Sequence, residues 1–158
     1  MVHALRHPQL MSTSDYGPAK QIAEDSAVLI LSADAVAAAL LGALIETLGY
    51  SIRFARPPER VEQSIRRVRP KVCLLDCDDP SACNDEILGR AAMRGISVVI
   101  FGTKDALARV RELATAHDID LILVPPQPEL LDETIKRAIQ RAGDSAGASR
   151  TDLDRLTP

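Results

Sequence analysis

Asp76 ends the apolar run KVCLLD and is followed by Asp78, Asp79 and Pro80. A carboxylate at the end of a buried strand lies where ligands of a parallel sheet bind. The same position also suits a plain turn or helix-start residue. Asp78 and Asp79 either add to such a site or form a solvated loop that favours the N-terminus of the next helix. Cys73, Cys77 and Cys83 crowd into the same stretch. Their spacing is not a zinc pattern and no His lies near, so they read as buried structural thiols. Ser32 has no His partner in sequence, which argues against a nucleophile. His3 and His7 lie in the N-terminal arm, and His117 near a helix end, where a charge–dipole role is expected.

The elements that must position these residues alternate regularly. AVLIL (27–31) is a short buried strand. Residues 34–48 form a helix closed by Gly49. SIRFA (51–55) alternates as a half-exposed strand. Pro57 and Pro58 open a helix that carries Val61, Ile65 and Val68 and stops at Pro70. KVCLLD is the third strand, 81–94 a helix closed by Gly95, ISVVIF the fourth strand, and 104–117 a helix. DLILV is the fifth strand. A last helix over 128–142 turns Leu130, Leu131, Thr134, Ile135, Ala138 and Ile139 inward and ends at Gly143. Continuous apolar strands separated by amphipathic helices imply a parallel sheet covered on both faces, and right-handed crossovers make it doubly wound. Ligands in such α/β sheets sit outside the carboxyl ends of the strands.

The 158 residues suffice for one domain. We divide them into a flexible arm (1–25), a folded domain (26–142) and a disordered tail (143–158). With two Tyr, two Phe and no Trp the core must be aliphatic. A net charge of −3 gives no global attraction to nucleic acid or membrane. No apolar run approaches the ~20 residues of a membrane span, and no signal pattern opens the chain. The odd cysteine count fits a reducing compartment. A cytoplasmic protein is expected.

The segment RPKVCLLDCDDP (69–80) resembles the third strand of bacterial response-regulator receiver domains: a Pro, an apolar run, an Asp, then three residues and a Pro. LGY (48–50) after the first helix, and the Pro pair at 125–126 followed by PELL, match the same family, and the resemblance covers roughly residues 27–142. It implies a CheY-like, flavodoxin-like (βα)5 fold. That fold is a three-layer sandwich around a five-stranded parallel sheet of order 2-1-3-4-5, with Asp76 as phospho-acceptor.

The departures bear most on function. The two acids that help hold magnesium in the family fall at Ser32 and Ala33. The Thr or Ser ending the fourth strand falls at Gly102, with Thr103 one position late. The Lys before the cis-proline falls at Pro125, ahead of Pro126, and the aromatic switch falls at Ile122. Phosphotransfer to a carboxylate depends on neutralising phosphoryl charge, and each lost electrostatic contact costs on the order of 3 kcal/mol of barrier. No cofactor is expected; magnesium, if held at all, would rest on Asp76 and the backbone carbonyl of Asp78. A compensating cage would draw on Asp34, Asp78 or Asp79.

Between Asp34 and Glu46 the first helix has no charged residue. Leu40, Leu41, Leu44, Ile45 and Leu48 make a core stripe, and Ala35, Ala38, Ala39, Gly42 and Ala43 a face of small residues. That face is either a contact surface for a helical partner or a second copy, or simply alanine used as a helix former. As a contact surface it would accept Glu at Ala39 and Gly42 without harm to the fold. From Arg53 to Lys71 seven basic residues face two acids. The stretch reads as a solvated basic helix, with steering of an acidic partner as the competing account. With only Phe54 as an aromatic, nucleic acid is not expected.

The resemblance and its departures together imply an atypical, pseudo-receiver module of phosphorelay signal transduction. It would be no enzyme, with little or no phosphorylation, acting through contacts with a histidine kinase, a phosphotransfer protein, another regulatory protein or itself. The alternative is a phospho-accepting single-domain regulator with a non-standard magnesium site at Asp76.

Overall fold

The computed structural model describes residues 27–154 apart from residue 81, with side chains to Ser145. The element order is β1 (Val28–Leu31), α1 (Ala35–Thr47), β2 (Ile52–Phe54), α2 (Val61–Val68), β3 (Val72–Asp76), α3 (Asp85–Met93), β4 (Ser97–Gly102), α4 (Lys104–Ala116), β5 (Asp120–Leu123) and α5 (Pro128–Asp154). The strands form one parallel sheet of order β2-β1-β3-β4-β5. This is the doubly wound flavodoxin-like α/β fold.

The unbroken apolar strands follow from burial on both faces. Val28, Ile30, Val72, Leu74, Val99 and Phe101 point toward α1 and α5, where Leu41, Ile45, Leu131 and Ile135 meet them. Leu29, Leu31, Cys73, Leu75, Val98 and Ile100 point toward α2, α3 and α4. Side chains alternate across a strand, so each strand feeds both layers. Each fully buried aliphatic side chain contributes about 1.5–3 kcal/mol. No helix among the described residues is long and apolar enough to cross a membrane.

Several boundaries differ from the sequence reading. Pro57 and Pro58 do not open α2; they form a turn with a cis bond between them, and the helix starts at Val61, where Gln63 accepts the Arg60 N–H at 2.8 Å. α3 starts at Asp85 because the Asn84 side chain caps the Ile87 N–H. α5 runs through Gly143 to Asp154, so residues 143–154 are helical rather than a disordered tail. A glycine ends a helix by turning left-handed, and among the described residues only Gly49 and Gly95 do so. The arm over 1–25 lies outside the described residues.

Leu40 does not join the core stripe: it is 69% exposed, beside Val36 at 68%. Conversely Ala38 and Gly42 are buried, and a Cβ on Gly42 would lie 2.7 Å from Phe54. The expectation that Glu is tolerated at Gly42 is therefore wrong. The exposed apolar face of α1 is Ala35, Val36, Ala39, Leu40 and Ala43. Leu130 is also exposed rather than inward.

Candidate functional site at the carboxyl end of the sheet

The strand register builds the site. Leu31 pairs with Leu75, so the next residue, Ser32, lands beside Asp76; Asp76 pairs with Phe101, one residue before Gly102. Asp76 is buried, at 5% exposure. Its Oδ2 accepts the Ser32 hydroxyl at 2.5 Å, and its Oδ1 accepts the Asp78 N–H at 3.0 Å. The single Ser32 hydroxyl hydrogen goes to Asp76, while the same oxygen accepts the Asp34 N–H at 3.1 Å. Both carboxylate oxygens are thus satisfied from within the chain.

The neighbouring acids are committed elsewhere. Asp34 caps α1, accepting from Val36 and Ala37 at 2.9 and 3.1 Å. Asp78 reaches across to the start of α4. One oxygen accepts the Thr103 hydroxyl at 2.8 Å and the other the Thr103 N–H at 3.0 Å. A carboxylate at a helix N-terminus is favourable, so Asp78 serves a helix start as expected, but that of α4 and not of α3. Asp79 lines the cavity beside Asp76. His117 caps the end of α4 with Nε2 2.9 Å from Asp85.

A cavity of about 170 Å3 opens over Asp76, lined by Leu31, Ser32, Ala33, Ala55, Glu59, Val61, Asp76, Asp79 and Ala82. None of these is a Lys or Arg. Hydrogen bonds from Arg67 and then Ser64 hold the Glu59 carboxyl down to about 2, so it stays ionised, with Arg67 at 2.7 Å as its counter-charge. Magnesium, which the resemblance brings with it, does not fit this donor set. Ala33 offers no side-chain oxygen, Ser32 offers a neutral one already in use, and the Asp78 carboxylate is turned to Thr103. Among the described residues no three His, Cys, Asp or Glu side chains converge as metal ligands.

The other family positions are placed as follows. Gly102 sits where a Cβ would approach Cys77 Sγ to 2.6 Å, so the sulfur fills the space a Thr would need. The cis bond lies between Val124 and Pro125, not before Pro126. The residue ahead of the cis-proline is therefore Val124 rather than Pro125, and it too is uncharged. Ile122 is buried in the α1–α5 layer.

Cys73 and Cys77 are buried, as read from sequence, and Cys83 is half-buried with Sγ 3.9 Å from the Asp76 carbonyl oxygen. Burial, then the Asp78 and Asp76 carboxylates, pushes the Cys77 thiol up to about 11; burial foremost pushes Cys73 and Cys83 to about 12. Only the thiolate alkylates. Cys77 in the native protein at pH 8 is expected to react with iodoacetamide roughly 100-fold more slowly than in the urea-unfolded chain. Its rate should climb as pH approaches 11. Equal native and unfolded rates by peptide mass mapping would contradict this.

The comparisons with known proteins agree with the topology. Over 73% of this chain and 95% of its own length, a response regulator receiver domain protein from Clostridium thermocellum superposes with a TM-score of 0.60 at 16% identity. A CheY-like receiver domain protein from Methanospirillum hungatei JF-1 matches over 75% of this chain and 97% of its own, with a TM-score of 0.56 at 17% identity. The fold is that of a response-regulator receiver domain. A protein described as an adenylate cyclase, from Rhodopirellula baltica, shares it over 84% of this chain and 98% of its own, with a TM-score of 0.60 at 14% identity. At such identities the likeness is one of fold. No protein-family model matches the chain, and no curated relative matches its sequence.

Proposed function

We propose that this chain is a pseudo-receiver: a non-enzymatic signalling module of the receiver fold whose acceptor site is closed to phosphotransfer. The observation that carries the reading is the cavity over Asp76, which is lined by acids and by no base. A phosphoryl dianion entering it would meet the Asp76 carboxylate with no Lys or Arg in the lining to offset the charge. Catalysis of phosphoryl transfer is mostly that offset. The Ser32 and Asp78 hydrogen bonds already satisfy both Asp76 oxygens, so attack by the carboxylate would first have to break them. Output then passes through contacts with a histidine kinase, a phosphotransfer or other regulatory protein, or a second copy, in the cytoplasm. The exposed α1 residues Val36, Ala39, Leu40 and Ala43 suit such a contact.

The test is intact mass after incubation with magnesium and acetyl phosphate, with Asp76→Asn as control. No phosphoryl adduct is expected on either protein. An adduct on the parent alone would replace this reading with that of a phospho-accepting regulator.

A further inference from the structure

A second cavity, of about 570 Å3, opens at the opposite end of the sheet from Asp76 and is lined by Ile65, Arg66, Arg69, Pro70, Arg94 and Ile96. Val72 pairs with Ser97, which brings the starts of β3 and β4 side by side. The ends of α2 and α3 therefore meet there, with Arg66 in the last turn of α2, Arg69 as its C-cap and Arg94 as the C-cap of α3. The volume lies within the range of small-molecule sites, roughly 300–1,000 Å3.

Arginines at helix ends ordinarily balance the helix dipole, and magnitude decides against that as the whole account. Two helix C-termini carry about half a negative charge each. Three guanidinium groups exceed that by about two positive charges, on a chain whose net charge is −3. The acids of α2 and of the loop before it are already paired, Glu59 with Arg67 at 2.7 Å and Glu62 with Arg90 at 3.0 Å, and no acid lines this cavity. Arg66, Arg69 and Arg94 make no side-chain hydrogen bond or ion pair among the described residues. Arg69 also adopts φ 50°, ψ 54°, a left-handed conformation that favours glycine. Beneath the guanidiniums, Ile65, Pro70 and Ile96 are buried and form an apolar floor.

We propose that this cavity binds a phosphorylated small molecule with a planar apolar body, of the nucleotide class. The phosphates would take bidentate hydrogen bonds from the arginines. The base would lie on the apolar floor, where a guanidinium plane also stacks on it. A free nucleotide fits better than a nucleic-acid strand, because the acidic remainder of the chain repels a long polyanion.

The test is a titration of the whole 15N-labelled chain with ATP in magnesium-free buffer. Saturable shifts confined to residues 65–70 and 94–97 are expected, with a dissociation constant of ~100 µM. Arg66→Gln/Arg94→Gln should weaken binding at least ~10-fold, at two lost charge-assisted contacts, while the melting temperature confirms that the variant is folded. Arg69→Gly should also weaken it while melting no lower than the parent, because glycine accepts the left-handed turn. The proposal is overturned if millimolar ATP shifts none of these residues, or if the double variant binds as the parent does. It is equally overturned if inorganic tripolyphosphate binds as tightly as ATP, or a single-stranded oligonucleotide more tightly.

Discussion

The double variant Ser32→Asp/Ala33→Asp is expected to lose about 3 kcal/mol of stability without divalent metal and to regain most of it in millimolar MgCl2. Ser32 now gives Asp76 a hydroxyl hydrogen at 2.5 Å. An aspartate there removes the donor and sets a second carboxylate against a buried one. Two like charges ~4 Å apart repel by about 4 kcal/mol at an effective dielectric constant of 20. Part of that is relieved by proton uptake. Magnesium reverses the sign, because three clustered carboxylates form a hard-oxygen site, where the described residues otherwise bring no three such ligands together. A ligand at 100 times its dissociation constant returns about 2.7 kcal/mol. Ser32→Ala separates the two effects. It should lose about 1.5–3 kcal/mol, the worth of a hydrogen bond to a charged group, with no rescue by magnesium. Thermal melts with and without MgCl2 decide the matter. A parent whose Tm climbs with magnesium as much as the double variant's would show that the site is open to metal as it stands.

Gly102→Thr, which introduces the side chain that the receiver resemblance would place there, is expected to cost about 2–3 kcal/mol, or roughly 5–10 °C in Tm. The added Cβ would lie 2.6 Å from Cys77 Sγ and 3.2 Å from an Asp78 carboxylate oxygen. Cys77 is buried and held at the end of β3, where its N–H bonds the Phe101 carbonyl oxygen at 3.0 Å, so the sulfur has little room to retreat. Cys77→Ala in the same chain removes the clash, and the pair should recover at least half the loss. A double-mutant cycle measures this coupling directly. Additive losses would mean that the sulfur is not what excludes the threonine. Cys77 and Gly102 would then stand as independent departures rather than one exchanged volume.

The fold was legible because the sequence repeats one physical message. Five apolar segments too short to be buried helices alternate with amphipathic segments bounded by Asp34, Gly49, Pro70 and Gly95. Only a parallel sheet covered on both faces buries all of them. The place of Asp76 was legible too, since it ends the central strand. Helix ends were read less well where the stop was compositional. Gly143 and the polar residues after it suggested a terminus, but a glycine in helical conformation costs only about 1 kcal/mol and does not break the ladder. Leu40 and Gly42 exchanged roles for a related reason. Which stripe of an all-apolar helix faces inward is set by its rotation against β2, where Phe54 leaves room for a glycine and not for a side chain.

By itself, then, the sequence determined the alternation of elements, the strand that carries Asp76, and the uncharged residue types at Ser32 and Ala33 beside it. Those properties are local: periodicity, residue type and position along a strand. Only the tertiary structure decided where the remaining polar groups went. Asp78 was free to join Asp76 or to leave it, and it left because the start of α4, 25 residues on in the chain, presents the Thr103 N–H and hydroxyl. Ser32 became the donor to Asp76 because β1 and β3 run side by side in register. The arginines at 66, 69 and 94 became one cavity because two helices end over adjacent strands. Each is a pairing between distant segments, fixed by strand order and register, and no local pattern encodes which partner a side chain will meet.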